Sequence, residues 1–248
     1  MDMIVHGATG RMGRILCELA DAQGHTVSAK VAADAPLDAA VFCRSLSALP
    51  AASVAAADCV IDFSNHAATA DLLSFCKANR LPVVIATTGQ TEAEKVLISD
   101  ASKEIPIFFS ANMSIGIAVL ADLARRAAAA FPTADIEIVE IHHNQKLDVP
   151  SGTALLLAKS IQNVRKNATL LIGRHENGKR TAQEIGIHSL RLGNEVGTHE
   201  VLISTGNEVI TLKHEAKNRA LFADGALAAA AWLIGRPAGL YSMQDMMV

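Results

Sequence analysis

Strand-like and helix-like runs alternate through the first 114 residues, and later strand-like runs follow one another with no helix between them. These two patterns predict an α/β chain: a doubly wound parallel-sheet domain joined to an α+β domain with a mixed sheet. Composition agrees. Half of the 248 residues are hydrophobic and 19% are charged, enough to bury the core of one large or two modest domains.

In chain order, MIVHG (3–7) reads as a strand and RMGRILCELADAQG (11–24) as a helix ending at Gly24. HTVSAKVAA (25–33) and CVIDFS (59–64) are the second and third strands. AATADLLSFCKANR (67–80) is a helix, followed by the strand LPVVIATTG (81–89). TEAEKVLISDASKE (91–104) is a helix whose Thr91 and Glu94 have capping-box spacing. PIFFSANMS (106–114) closes the alternating series. After it, GIAVLADLARRAAAAF (116–131) is a long helix, DIEIVEIHH (135–143) has strand character, and SGTALLLAKSIQNV (151–164) is a helix. EIGIHSLRL (184–192), HEVLIST (199–205) and EVITLKHEA (208–216) are strands, the last two joined at Gly206-Asn207, a hairpin signal. Residues 219–235 form an alanine-rich helix, and no internal repeat or low-complexity linker marks a boundary.

Several classes of function are excluded early. A formal charge of −3 and the lack of any Lys/Arg run argue against nucleic acid as a partner. No apolar run reaches the roughly 18 residues of a membrane span; GALAAAAWLIG (225–235) is too short and reads as a buried helix. MDMIVHGATG enters an apolar strand at once, without a basic n-region or cleavage site, so no secretion signal is expected. Cys17, Cys43, Cys59 and Cys76 lack metal-ligand spacing and read as buried thiols of a cytoplasmic protein.

GATGRMG sets Gly7, Gly10 and Gly13 between the first strand and the first helix, with Ala8 where the usual dinucleotide fingerprint has its second glycine. Such a turn lets backbone N–H groups approach a pyrophosphate at the positive end of a helix. Inside a βαβ pattern it makes the first domain Rossmann-like and points to a nucleotide. Later strand ends carry small polar residues where ligands of parallel sheets sit: Asp62-Phe63-Ser64, Ala86-Thr87-Thr88-Gly89 and Ser110-Ala111-Asn112-Met113-Ser114. Each alone is an ordinary turn; three in one domain favour a cofactor.

EIHHNQKLDVPSGT (140–153) is denser in chemistry. No third metal ligand stands at recognisable spacing beside His142 and His143, so no metal is expected. On a strand the two histidines face opposite ways and serve different purposes. An imidazolium can act as a general acid near neutral pH. Lys146 adds a fixed positive charge, and Ser151 is a natural N-cap of the next helix, so that Ser151, Gly152 and Thr153 form a nest expected to bind a substrate anion. A proton donor, a cation and an anion nest in one stretch suit an acidic substrate.

Taken with ATTG, SANMS and RALFADGA, these motifs make the chain resemble the dihydrodipicolinate reductases, enzymes of diaminopimelate and lysine biosynthesis. The resemblance spans nearly the whole chain, and the EIHH…PSGT block is its most specific part. It implies a dinucleotide-binding domain from residues 1–112 and 220–248, and a substrate-binding and oligomerisation domain from 113–219 whose sheet mediates a homotetramer. It implies NADH and/or NADPH as cofactor and a small cyclic dicarboxylate as substrate. Carried over, His142 is the proton donor, Lys146 is needed for turnover, and His143, Lys146, Gly152 and Thr153 hold the two carboxylates. Gly7, Ala8, Thr9, Gly10, Arg11 and Met12, with Ala86, Thr87, Thr88, Ser110, Ala111, Asn112 and Met113, line the cofactor.

The chain departs from the family at Ala86, where Gly is usual, and at Met113, where Phe is common; both positions bear on nicotinamide packing. The segment after the second strand is short. In VAADAP an ungapped comparison puts Ala33 at the cofactor-selecting position and Asp34 beside it, and a one-residue shift puts Asp34 on the ribose. Either placement sets a negative charge near a 2′-phosphate, so NADH is expected to serve at least as well as NADPH.

Rival readings fare worse. A short-chain dehydrogenase needs a Tyr-x-x-x-Lys pair, and the single tyrosine, Tyr241, has no lysine after it. A semialdehyde dehydrogenase needs a nucleophilic cysteine at the second domain, and all four cysteines precede residue 77. A non-catalytic dinucleotide sensor would leave His142 and Lys146 without a role.

Overall fold

The computed structural model describes residues 1–34 and 42–247. The chain divides into two compact units, Met1–Ser114 with Ala220–Val248, and Ile115–Arg219. The first begins with β1 (Asp2–His6), α1 (Arg11–Ala22), β2 (Thr26–Val31), β3 (Phe42–Cys43), α2 (Ala51–Ala56) and β4 (Cys59–Asp62). It continues through α3 (Thr69–Asn79), β5 (Val83–Ile85), α4 (Glu92–Ala101) and β6 (Pro106–Phe109). The second contains α5 (Ile115–Ala130), β7 (Asp135–His142), α6 (Gly152–Gln162), β8 (Thr169–Ile172), β9 (Glu184–Arg191), β10 (Gly197–Ser204) and β11 (Val209–Ala216). The chain then returns to the first unit as α7 (Ala220–Leu233) and β12 (Gly239–Tyr241).

The first unit holds a seven-stranded sheet in the order β12-β6-β5-β4-β1-β2-β3, every pairing parallel. Its central strands are apolar throughout because both faces are covered: Met3, Ile4, Val5, Val60, Ile61, Val83, Val84 and Ile85 are all fully buried. Helix ends follow local chemistry. Thr91 and Glu94 form the expected capping box. Gly24, in the left-handed region at φ +74°, closes the turn after α1, its N–H donating to the Asp21 carbonyl. The edge strands β3 and β12, two and three residues long, and the six-residue α2 are absent from the sequence reading. None is long enough to show a period. The run VAADAP passes at Ala35 and Pro36 outside the described residues.

α7 is held tightly in this unit. An added Cβ at Gly225 would come within 1.7 Å of the Met113 carbonyl oxygen, so only glycine allows the helix to lie this close. Trp232 meets Phe108 and Tyr241 edge-on, at 6.2 and 5.3 Å between ring centres, and Arg236 stacks 3.9 Å over its ring. Among the described residues, no helix is long and apolar enough to cross a membrane.

In the second unit a five-stranded sheet runs β11-β10-β7-β9-β8. β10 is antiparallel to β7 and β11, and β9 is parallel to β7 and β8, giving the mixed sheet. Alternation assigns its faces. Ile136, Ile138, Ile185, Ile187, Val201 and Ile203 point inward and pack on Leu120 and Ala124 of α5 and Leu157 and Ile161 of α6. The hairpin between β10 and β11 turns at Gly206, φ +90°, with Thr205 N–H donating to the Glu208 carbonyl. β8 escapes the sequence reading because TLLI shows no alternation and ends no recognisable turn.

Candidate active site

In the first unit, the chain leaves β1 through Gly7 and enters α1 at Arg11. Gly7 has φ +82°, and a Cβ there would lie 2.4 Å from the Phe63 carbonyl oxygen. A Cβ at Gly13 would lie 2.1 Å from the Gly7 carbonyl oxygen, so α1 can begin against the turn only without side chains at either place. Gly10 caps α1 with no side chain accepting from the helix, which leaves its first N–H groups to another acceptor. Ala8 is buried, Thr9 and Met12 are half-buried, and Arg11 is exposed. The Thr9 hydroxyl donates to Asp34 Oδ1 at 2.5 Å, tying the end of β2 to the glycine turn.

Ala33 takes a different position, lining with His6, Arg44, Ala68 and Asp71 a cavity of about 580 Å³. The Ala86 N–H donates to the Asp62 carbonyl; Thr87 is buried and Thr88 exposed. After β6, the Ser110 hydroxyl donates to the Asn112 carbonyl, Ala111 is exposed, and the Met113 side chain is buried. The predicted cofactor residues thus follow the carboxyl ends of β1, β2, β5 and β6 of one parallel sheet.

The second unit builds its cluster from side chains. β7's inward row runs Ile136, Ile138, Glu140, His142, so the last two positions of an apolar row are polar and buried. His142 Nδ1 lies 2.5 Å from Glu140 Oε2. Arg191 donates to both Glu140 oxygens, each at 3.1 Å, and the Ser151 N–H donates to Oε1 at 3.2 Å. Burial opposes ionisation of Glu140, but the hydrogen bonds from His142 and Arg191 outweigh it and hold the carboxyl down at about 2. His199 of β10 sits edge-on to His142 at 5.1 Å between ring centres. Burial first, and then the neighbouring His142, push His199 down to about 3, so it stays neutral.

Ser151 is fully engaged. Its Oγ accepts from the Ala154 N–H as the predicted cap and lies 3.2 Å from His199 Nε2. Its hydroxyl therefore braces the amino end of α6, which begins with the exposed Gly152 and the half-buried Thr153. His143, just past the end of β7, is half-buried. Lys146 Nζ lies 2.8 Å from Asp148 Oδ1, and burial of Asp148 is outweighed by that ammonium, which lowers its carboxyl. Arg191 Nη2 also donates to the Asp148 carbonyl at 2.7 Å, linking the Lys146 loop to the partner of His142. His142, Ser151 and the Lys146 loop thus converge on one buried ion pair.

Glu140, Arg191, His199 and Gly197 have no role in the sequence reading. The signal for the first three is parity: each continues an inward row of isoleucine or valine on β7, β9 or β10. Gly197 announces itself only in space, since a Cβ there would press on His142 Nε2 at 3.1 Å.

The comparisons agree along the chain. The family model "Dihydrodipicolinate reductase, N-terminus" matches residues 1–113, and "Dihydrodipicolinate reductase, C-terminus" matches 116–247. A 4-hydroxy-tetrahydrodipicolinate reductase of Caldanaerobacter subterraneus is 45% identical over 98% of this chain and 97% of its own. One from an Exiguobacterium species is 44% identical over 99% of this chain and 95% of its own. Among solved structures, a dipicolinate-bound dihydrodipicolinate reductase from Paenisporosarcina sp. TG-14 shares the fold, with TM-score 0.83, 24% identity and 99% coverage of both chains. With both halves matched by their family models and close relatives aligned end to end, this chain belongs to the dihydrodipicolinate reductase family.

Proposed function

We propose that this protein reduces 4-hydroxy-tetrahydrodipicolinate, by way of its dehydrated ring dihydrodipicolinate, to tetrahydrodipicolinate, in diaminopimelate and lysine biosynthesis. One observation carries the reading: His142 stands at the end of β7 on a fully buried carboxylate, linked through Arg191 to the loop of Lys146. Held by the first unit, NADH or NADPH would supply the hydride for C4 of the dehydrated ring. His142 gives the proton that completes the addition. Lys146, with His143, Gly152 and Thr153, holds the two ring carboxylates. The ammonium that Asp148 now shares supplies the fixed charge, and the first N–H groups of α6 supply donors. Ser151 keeps that helix end in place.

The residues of the first unit fit a dinucleotide. Gly7 and Gly13 keep side chains out of the turn, and Gly10 leaves the first N–H groups of α1 uncapped. Gly7 to Met12, Ala86 to Thr88 and Ser110 to Met113 line it. The carboxylate of Asp34, beside the glycine turn, favours NADH at least as much as NADPH. The face of the second unit's sheet opposite α5 and α6 carries the half-buried Val139, Ile141 and Leu202 and the 44% exposed Leu190, which supports a homotetramer built through that sheet. Four unpaired thiols fit a cytoplasmic location.

The test is a coupled assay with aspartate semialdehyde, pyruvate and the upstream synthase, following nicotinamide absorbance as the protein is added. Protein-dependent oxidation is expected, and its absence with both cofactors in a folded sample would sink the reading.

A further inference from the structure

We propose that Glu140 is a positioning residue that fixes the tautomer of His142, so that Nδ1 stays protonated and Nε2 is the atom that exchanges a proton with substrate. The inference rests on His142 being the proton donor. It follows from a count of donors around one buried carboxylate. Oε1 receives the Ser151 N–H and Arg191 Nη2, and Oε2 receives Arg191 Nη1 and His142 Nδ1. A backbone N–H cannot accept a hydrogen bond, and a guanidinium is always charged and donates only. Of these four, His142 is the one able to change roles; the Ser189 hydroxyl, which also bonds the carboxylate, can only donate to it, and an ionised carboxylate likewise obliges His142 to donate from Nδ1.

The surroundings reinforce this. Glu140 is 0% exposed, so water cannot substitute for any of the four donors. Its carboxyl is held down at about 2, so it accepts and does not donate throughout the neutral range. On the other side of the ring, Gly197 leaves Nε2 without a covering side chain, since even a methyl group there would sit 3.1 Å from it. One nitrogen is anchored, and the other is kept clear.

Replacing the carboxylate by an amide reverses the arrangement. In Glu140→Gln the amide oxygen suits the site of Oε1, where the Ser151 N–H and Arg191 Nη2 both demand an acceptor. The amide NH₂ then faces His142 Nδ1 and makes it an acceptor, which moves the ring proton to Nε2. An acid that must hold protons on both nitrogens is disfavoured next to that donor. Trapping the wrong tautomer in this way costs about 10²–10⁴-fold in rate.

The experiment uses the full chain labelled with ¹⁵N-histidine, with the His142 ring signals assigned by their loss in His142→Gln. In the wild-type protein the neutral ring is expected as the Nδ1–H tautomer, and finding the Nε2–H form would overturn the proposal without any variant at Glu140. In Glu140→Gln the signals should switch to Nε2–H, with kcat lowered about 10²–10⁴-fold and KM nearly unchanged. The double variant Glu140→Gln/His142→Gln should be no slower than His142→Gln alone, because Glu140 acts through His142. Additive losses, or a crippled His142→Gln beside a fully active Glu140→Gln, would overturn the positioning role and leave His142 as donor. Near-normal kcat in His142→Gln would instead overturn the reading on which the inference rests.

Discussion

The two units solve recognition with opposite materials. The first uses absence: Gly7 and Gly13 have no room for a Cβ, and no side chain caps the start of α1. The second uses presence: a buried glutamate, an arginine and two histidines fill the inward rows of its sheet. A backbone cradle has no proton to lose, so it is indifferent to pH but intolerant of added atoms. A buried ionic cluster is intolerant of pH and of any lost partner, because an unpaired buried charge is costly.

The sharpest way to break this contrast is a pair of variants measured for both properties. His142→Gln should lower kcat by about 10²–10⁴-fold and leave dinucleotide affinity intact. Lys146→Ala should lower kcat and raise KM together, since it removes a carboxylate partner. Gly13→Ala should do the reverse of His142→Gln, weakening dinucleotide binding and lowering thermal stability by about 1–3 kcal/mol through overpacking against the Gly7 carbonyl. Calorimetric melting and dinucleotide titration of each variant decide the matter, and a Gly13→Ala protein with normal affinity would erase the distinction.

The next effect concerns pH. His199 has a folded value of about 3 against an ordinary 6.5, and Glu140 about 2 against 4.5. In both windows the unfolded chain binds protons that the folded one does not. Stability of the second unit therefore falls as pH drops from about 6.5 towards 2. The first unit holds the thiols, and burial pushes Cys59 up to about 12 from 9 and raises Cys76 as well. There the unfolded chain ionises first, so stability falls as pH rises above about 9. Acid should thus attack one unit and alkali the other. Trp232, the single tryptophan, reports the first unit by fluorescence. Cys59→Ala should raise the alkaline midpoint that Trp232 reports, and His199→Phe should lower the acid midpoint seen by circular dichroism. Unmoved midpoints would remove these groups as the cause.

Two smaller effects sharpen the comparison. Thr153→Val should weaken a planar pyridine dicarboxylate inhibitor by about 10-fold, the scale of one hydrogen bond to a charged group, with dinucleotide affinity unchanged. Equal loss of both would make Thr153 structural. For the cofactor, kcat/KM should be at least as high with NADH as with NADPH, and Arg44→Ala should raise that ratio further. Arg44 lines the cavity with Ala33, where a cation can meet a 2′-phosphate. A tenfold wild-type preference for NADPH, about 1.4 kcal/mol, would remove Asp34 as the selecting charge.

What the sequence discloses divides along the same line. The central strands, the main helices, the glycine turn and the caps at Thr91 and Ser151 are legible, because period and turn chemistry are local properties. β3, β8 and β12 are not, since two to four residues at a sheet edge carry no period. His142 and Lys146 stand in one contiguous motif, whereas Arg191 and His199 reach the cluster from strands 49 and 57 residues beyond His142, and only sheet register brings them there. The parity of Glu140 with Ile136 and Ile138 is visible in the sequence. Its meaning depends on knowing which partners wait on the next strands.

The return of α7 and β12 to the first unit has a consequence for synthesis. Residues 115–219 are contiguous and can fold soon after they leave the ribosome, as domains commonly do in order of emergence. The nucleotide unit cannot. β12 pairs with β6, and α7 lies on the Met113 carbonyl at Gly225, so the first strands to emerge wait for the last helix. Until translation has passed Tyr241, β6 presents an unpaired edge and its neighbouring segment an uncovered face, the surfaces by which incomplete chains find one another. The unit that begins first is completed last, and a chain truncated before Ala220 is left with a nucleotide sheet that has no means to close.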